Sequence, residues 1–276
     1  MKKLETFFIV ANIRRITVMR ILCLGDSIMQ YNDFSSFPQT GWVQELRRFF
    51  PEETEWLNFA RNGRSTKSFI DEGRFERVMA EARKGDFALI QFGHNDEKSA
   101  DPVRYTSSEA GGAFRKNLSC FVRGLRGRGA LPVLLTPMAR RMFEGGRIVN
   151  SHGDYPLAVI ETAAAERAPC IDMSSLTMEF LSREGEEKSR RFYMNFCAGL
   201  YENFPDGKND DSHLRPDGAN AFSRIAAVEI KKISADFPEY AELSEKCMRS
   251  TSGRFIEVGG ENGEIDDEYT MFRKSF

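Results

Sequence analysis

Nothing in this sequence of 276 residues offers a cysteine framework, a metal cluster or a membrane span. The five cysteines (Cys23, Cys120, Cys170, Cys197 and Cys247) are odd in number, widely spaced and without a C-x-x-C pair. That pattern predicts free thiols in a reducing compartment. No window approaches the roughly 18 apolar residues of a membrane span. The apolar stretch Phe7 to Ala11 follows Glu5 and runs into Arg14 and Arg15 without an A-x-A cleavage site, so no signal peptide is read and a cytoplasmic location is expected. Basic excess is also missing: 39 Lys and Arg against 41 Asp and Glu give a net charge of −2. No global field therefore draws the chain to nucleic acid or an anionic membrane, and a charged partner must be recognised locally. No repeat is visible. Histidine is scarce, with only His94, His152 and His213.

What is present is an alternation of two patterns. Short apolar runs at Ile21 to Leu24, Glu55 to Phe59, Phe87 to Phe92, Leu131 to Leu135 and Pro169 to Met173 read as buried strands. Helical spacing fills Gly41 to Phe50, Glu72 to Lys84, Ala110 to Arg126 and Tyr155 to Glu166. A last helix runs from about Pro216, a proline at the first helical position, to about Ile233. Alternation of this kind predicts an α/β fold, with a parallel sheet covered on both faces. Residues 1–18 fit poorly with the strand that Met19-Arg20 opens. They read as an N-terminal extension, or as a stretch ahead of a natural start at Met19, with the domain at 19–235. Residues 236–276 form a C-terminal extension, whose acidic run Glu261 to Glu268 fits a terminal hairpin or a loose tail.

Ligands of open parallel sheets bind outside the carboxyl ends of the strands. Gly25-Asp26-Ser27 follows the first run, and on the triplet alone a helix-capping serine is the simpler reading. As a nucleophile, Ser27 would need a neighbouring base. His213 lies in Asp210-Asp211-Ser212-His213, read as a polar loop ahead of the last helix. A tight turn would return the Asp210 carboxylate to Nδ1, leaving Nε2 to face Ser27, with Asp211 as the local competitor. Gly63 after the second strand and Asn95 after the third would join the Ser27 backbone N–H as donors to an oxyanion, each an ordinary turn residue when taken alone. There is no G-x-S-x-G elbow, no H-E-x-x-H and no Cys/His cluster.

Gly25-Asp26-Ser27, Gly63, Gly93-x-Asn95-Asp96 and Asp210-x-x-His213 resemble the four blocks of the SGNH (GDSL-like) hydrolase superfamily. The stretches Gly63 to Phe69, Glu72 to Glu76, Gln91 to Asp96 and Tyr201 to His213 are similar to the rhamnogalacturonan acetylesterase family, over roughly Arg20 to Ile233. The resemblance implies a flavodoxin-like three-layer α/β/α sandwich with a five-stranded parallel sheet. It implies Ser27 as nucleophile, His213 as general base and acid, and Asp210 as its orienting partner. Gly63, Asn95 and the Ser27 N–H would make the oxyanion hole, with no cofactor and no metal. Ser212 and Leu214 stand where the family often has threonine and an aromatic. The expected substrate is an acetylated, acidic pectin-derived oligosaccharide, acidic through its galacturonate. The alternatives are another acyl ester (acetylxylan, a lipid or a thioester) or a non-catalytic sugar-binding protein. Arg140, Arg141 and Arg147, after the fourth strand, read either as a solvated cluster paired with Glu144 and other acids or as carboxylate readers. Phe192, Tyr193, Phe196, Tyr201 and Phe204 read as local core or as sugar-stacking faces.

Overall fold

The computed structural model describes residues 18–247, so the expectations for the first 17 residues and for the acidic tail lie outside the described residues. The sheet consists of β1 (Arg20–Gly25), β2 (Glu55–Asn58), β3 (Phe87–Gln91), β4 (Leu131–Leu135) and a short β7 (Cys170–Ile171), all parallel, in the order β2-β1-β3-β4-β7. Between β4 and β7 lies a small hairpin, β5 (Phe143–Glu144) and β6 (Arg147–Ile148). The expected three-layer sandwich is the observed one. Alternate residues of each strand go to opposite faces. Ile21, Cys23, Phe87 and Leu89 join one core, while Leu22, Leu24, Ala88 and Ile90 join the other.

The second of these cores is covered by α2 (Thr66–Asp71), α3 (Arg74–Glu81), α4 (Ala113–Gly127) and α5 (Tyr155–Glu166), with Phe69, Phe114 and Phe121 fully buried. The first is covered by α1 (Trp42–Leu46), α6 (Met173–Glu184) and α7 (Pro216–Ile230), through Trp42, Leu181 and Phe222. Two of these helices carried no clear helical signal in the sequence. α2 is a single capped turn and a half whose N-cap is Ser65, and α6 follows β7 directly, capped by Asp172. Residues 193–214 hold a second hairpin, β8 (Tyr193–Phe196) and β9 (Lys208–Leu214). His213 therefore sits in a strand and not in the expected loop. β9 reads K-N-D-D-S-H-L, with no apolar alternation to announce a strand.

The packed body continues past Asp236. After α8 (Ile233–Asp236), residues 238–247 close against it through α9 (Ala241–Lys246). Leu243 and Cys247 are fully buried, and the Tyr240 hydroxyl donates to Pro132 O at 2.7 Å.

Buried polar groups pin the strand ends. The Asp96 carboxylate Oδ1 accepts from Thr66 N (2.9 Å), Thr66 Oγ1 (2.5 Å) and Thr106 Oγ1 (2.7 Å), tying α2 to the end of β3. Burial nevertheless pushes its pKa up to about 7, against the opposing pull of those bonds. His94 is held the other way. Burial first, then the charges of His152 and Arg140, lower it to about 4 against the pull of Asp26.

Two predictions follow from this packing and its charges. Leu243→Ala is expected to destabilise the domain by about 2–5 kcal/mol, the usual cost of a buried leucine. Tyr240→Phe should cost about 1–2 kcal/mol for the orphaned Pro132 carbonyl. A urea midpoint unchanged in both variants would show that residues 238–247 are not part of the cooperative unit. The second prediction concerns pH. An unfolded histidine takes up its proton near 6.5, whereas folded His94 does so near 4, so His94 destabilises the fold as pH falls from 6.5 to 4. Folded Asp96 keeps its proton to about 7 while the unfolded carboxyl loses it near 3.9, so Asp96 destabilises the fold as pH rises from 4 to 7. The two effects oppose, about 3 kcal/mol for His94 and about 4 kcal/mol for Asp96 across their windows. His94→Asn should give a fold most stable near pH 4, and Asp96→Asn one most stable near pH 7. Unfolding free energies that run parallel to wild type from pH 4 to 7 would refute the assignment.

Candidate active site

The order 2-1-3-4-7 places a switch in the direction of sheet growth at β1, where the connections diverge and a crevice opens above the strand ends. The chain leaves β1 at Gly25, where a Cβ would stand 2.9 Å from Gln91 O, so only glycine lets β1 and β3 end this close together. The turn that follows is capped by Asp26. Its Oδ1 accepts from Ile28 N at 3.0 Å, and its carbonyl accepts from Gln30 N at 3.0 Å. The capping role considered for Ser27 thus belongs to its neighbour.

The Ser27 hydroxyl is bonded elsewhere, with Oγ 2.9 Å from His213 Nε2. His213 Nδ1 lies 2.8 Å from Asp210 Oδ2. Tyr193 pairs with Leu214 while Met194 pairs with Asp210, so Asp211, Ser212 and His213 bulge out of β9. Asp210 Oδ1 closes the bulge by accepting from Ser212 N (2.9 Å) and His213 N (3.0 Å). Burial alone would raise the Asp210 pKa. The hydrogen bond and charge of His213 and these two N–H groups outweigh burial and hold it well below the carboxylate range. Asp211 goes elsewhere, its Oδ1 accepting from Asn195 Nδ2 (2.7 Å) and Arg141 NH1 (3.1 Å).

Gly63 has φ +76°, backbone that favours glycine. Asn95 is oriented from both ends of its amide. Nδ2 donates to Arg64 O at 3.1 Å, and Oδ1 accepts from Lys98 Nζ at 2.8 Å. One N–H of Nδ2 remains for another acceptor. The strand ends that carry Ser27, Gly63 and Asn95 are neighbours in the sheet order β2-β1-β3.

Sequence reasoning passed over a shell behind these groups. His94 Nδ1 faces Asp26 Oδ2 at 3.6 Å, and its ring stacks edge-on against His152 at 4.5 Å. His152 lies 2.9 Å from Glu97 Oε2 through Nδ1 and 2.8 Å from Met138 O through Nε2. Arg140 pairs with Glu97 and donates from Nε to Ser212 Oγ (3.1 Å), joining β3 and β4 to the bulge that bears His213. The signal was the scarcity of histidine: all three stand in or behind one crevice. Arg141 is 6% exposed, with its guanidinium on Asp211, Glu186 O and Ser189. It pairs with an acid, as the first reading had it, but is buried rather than solvated, and its engaged guanidinium goes against the second reading. Arg140 is tied to Glu97 and not to Glu144, and Arg147 is exposed at the start of β6.

Phe192 and Tyr193 are core residues. Phe196 packs on Tyr201 (4.7 Å) and Phe204 (5.8 Å), and Tyr201 on Phe37 (5.6 Å). Local packing therefore accounts for these rings, which dock the β8–β9 connection onto residues 34–37.

Residues 23–221 match the model of the GDSL-like Lipase/Acylhydrolase family. A probable rhamnogalacturonan acetylesterase, YesY, from Bacillus subtilis (strain 168), is 34% identical over 79% of this chain and 95% of the relative. The rhamnogalacturonan acetylesterase RhgT of the same organism is 32% identical over 80% and 94%. Among solved structures, the Bacillus subtilis protein YxiM superposes with a TM-score of 0.66 at 25% identity, over 78% of this chain and 57% of that one. An acetyl xylan esterase, AlAXEase, gives 0.55 at 14% identity over 77% and 100%, a likeness of fold alone. A serine at the switch point of a buried parallel sheet, met there by a histidine and an aspartate from the β8–β9 hairpin, in a sequence matched from Cys23 to Ala221, places the chain in the GDSL-like lipase/acylhydrolase family of carboxylic ester hydrolases.

Proposed function

We propose that this esterase removes acetyl groups from rhamnogalacturonan-type, pectin-derived oligosaccharides through an acetyl-serine intermediate. The observation that carries the chemistry is the relay Ser27–His213–Asp210, at 2.9 and 2.8 Å. Ser27 Oγ attacks the acetyl carbonyl as His213 Nε2 takes its proton. The Ser27 and Gly63 N–H groups and Asn95 Nδ2 stabilise the oxyanion. His213 returns the proton to the departing sugar hydroxyl, and water attacks the acetyl-serine by the same route. Asp210, kept ionised, holds Nδ1 protonated and stabilises the imidazolium. The substrate class rests on the two acetylesterase relatives, each matched over more than nine-tenths of its length. The free state of all five cysteines favours a reducing, cytoplasmic setting, with the domain at about 19–235 and its packed end carried on to Cys247.

Acetate release from acetylated rhamnogalacturonan oligosaccharides, beside acetylxylan and p-nitrophenyl acetate, tests the substrate. A larger kcat/KM on acetylxylan would replace it, and no acid release from any ester would leave a sugar-binding protein. Ser27→Ala and His213→Ala should each lower kcat by about 10⁴ to 10⁶, with no additive loss in the double variant. Asn95→Ala should cost about 10² to 10³. Asp210→Asn should cost more than Asp211→Asn, the reverse ranking reassigning the partner. More than a tenth of wild-type activity in Ser27→Ala would sink the mechanism. Because Arg141 holds Asp211 beside the bulge, Arg141→Ala should lower the unfolding midpoint and depress turnover of charged and neutral esters alike. A loss confined to acidic substrates would restore it as a reader of substrate charge.

A further inference from the structure

Between the loop that carries Ser27 and the loop that carries Gly63 lies a polar groove of about 370 Å³. Gln30, Asn32 and Asp33 from the first loop and Arg61, Asn62 and Arg64 from the second are among its lining residues. It lies on the two loops that carry the site: Gln30 stands three residues after Ser27, Asn62 immediately precedes Gly63, and the two are hydrogen-bonded to each other. Its walls are fixed in advance. Asn62 N donates to Gln30 Oε1 at 2.6 Å, Asn32 N to Gln44 Oε1 at 2.8 Å, and Arg61 N to Gly25 O at 3.1 Å.

The arginines around the crevice are otherwise engaged: Arg64 with both oxygens of Glu72, Arg104 with Asp101, Arg140 with Glu97 and Arg141 with Asp211. Arg61 differs. It is exposed, lines the groove, and its guanidinium has no hydrogen-bond or ion-pair partner among the described residues. The Asp33 carboxylate is occupied locally, Oδ1 accepting from Ser35 N (3.0 Å) and Ser35 Oγ (2.5 Å). A groove rich in amides and hydroxyls suits a ligand dense in hydroxyl groups, and a free planar guanidinium suits a carboxylate gripped through two N–H groups.

We propose that this groove is a subsite for a uronic acid unit of the acetylated oligosaccharide, and that Arg61 binds its carboxylate. The proposal rests on the oligosaccharide reading above and assigns the recognition of charge to the β2–α2 loop, in place of the loop after β4. Subsite occupancy sets the register of the chain over Ser27, so discrimination between acidic and neutral oligosaccharides resides at Arg61.

The test is competition against p-nitrophenyl acetate hydrolysis by a deacetylated oligosaccharide of alternating rhamnose and galacturonate, and by the same oligosaccharide with its carboxyls reduced to alcohols. Each inhibition constant is read within one variant, so the variant's own turnover drops out. Wild type should bind the acidic form about tenfold more tightly, the effect of one charge-assisted contact. Added salt should erode that ratio. Arg61→Gln should abolish the ratio, and Arg61→Lys, which keeps charge without the fork, should retain part of it. The proposal is overturned by equal inhibition from both forms, by no inhibition from either, or by a ratio that survives in Arg61→Gln. Acetate release decides the substrate reading separately: an enzyme that deacetylates xylan best but still prefers the acidic inhibitor through Arg61 keeps the subsite and loses the rhamnogalacturonan assignment.

Discussion

A parallel sheet buried on both faces has to send its connections over one face and then the other, and the point where they part is β1. That reversal leaves the ends of β2, β1 and β3 side by side with no crossover above them. Everything at the crevice depends on how closely those ends approach. Gly25 permits contact with the Gln91 carbonyl, and Asp96 draws the N-terminus of α2 to the end of β3 through three bonds to one oxygen. The loops that carry Ser27, Gly63 and Asn95 leave the sheet side by side because the order β2-β1-β3 puts their strands next to one another. No loop has to fold back over the site.

His213 arrives differently. β9 belongs to a separate hairpin, and only a three-residue bulge turns His213 toward Ser27. A strand ladder would normally resist such an interruption, since two N–H groups lose their cross-strand partners. Asp210 supplies the replacement. One oxygen takes both N–H groups and the other takes Nδ1, so the bulge and the imidazole are fixed by one side chain. This is why Asp210 and not Asp211 faces the histidine: the residue that starts the bulge can reach back inside it, and the next one points to Asn195 and Arg141.

The central fold was legible because the sheet strands fall on short runs rich in apolar residues and α3, α4, α5 and α7 have helical spacing of their own. The contact among Ser27, His213 and Asp210 was legible from chemistry, as a serine after a strand and a histidine three residues from an aspartate. Three things were not. β9 is polar throughout, so its pairing with β8 has no signature in its own residues. α2 and α6 depend on the caps at Ser65 and Asp172 more than on periodicity. The arginines after β4 look solvent-bound in sequence, yet Arg141 is drawn into the interior by Asp211 and a backbone carbonyl 45 positions away. Long-range ion pairs of this kind depend on topology, and local sequence does not encode their partners.

Charge recognition in such a protein has to be short-ranged. With a net charge of −2 the whole molecule gives an acidic ligand no long-range attraction. Arg64, Arg140 and Arg141 are already neutralised by Glu72, Glu97 and Asp211, and their cost of desolvation is met by those partners. Redirecting any of them to a substrate would leave a carboxylate unpaired, and for Glu97 or Asp211 it would loosen the shell behind His213. Arg61 carries no such obligation. A cation without a protein partner in the free state exchanges only water for a carboxylate, and no internal ion pair is broken or remade as the ligand comes and goes. Among the described residues, the arginines beside the site thus divide between Arg64, Arg140 and Arg141, held in ion pairs, and Arg61, which has none.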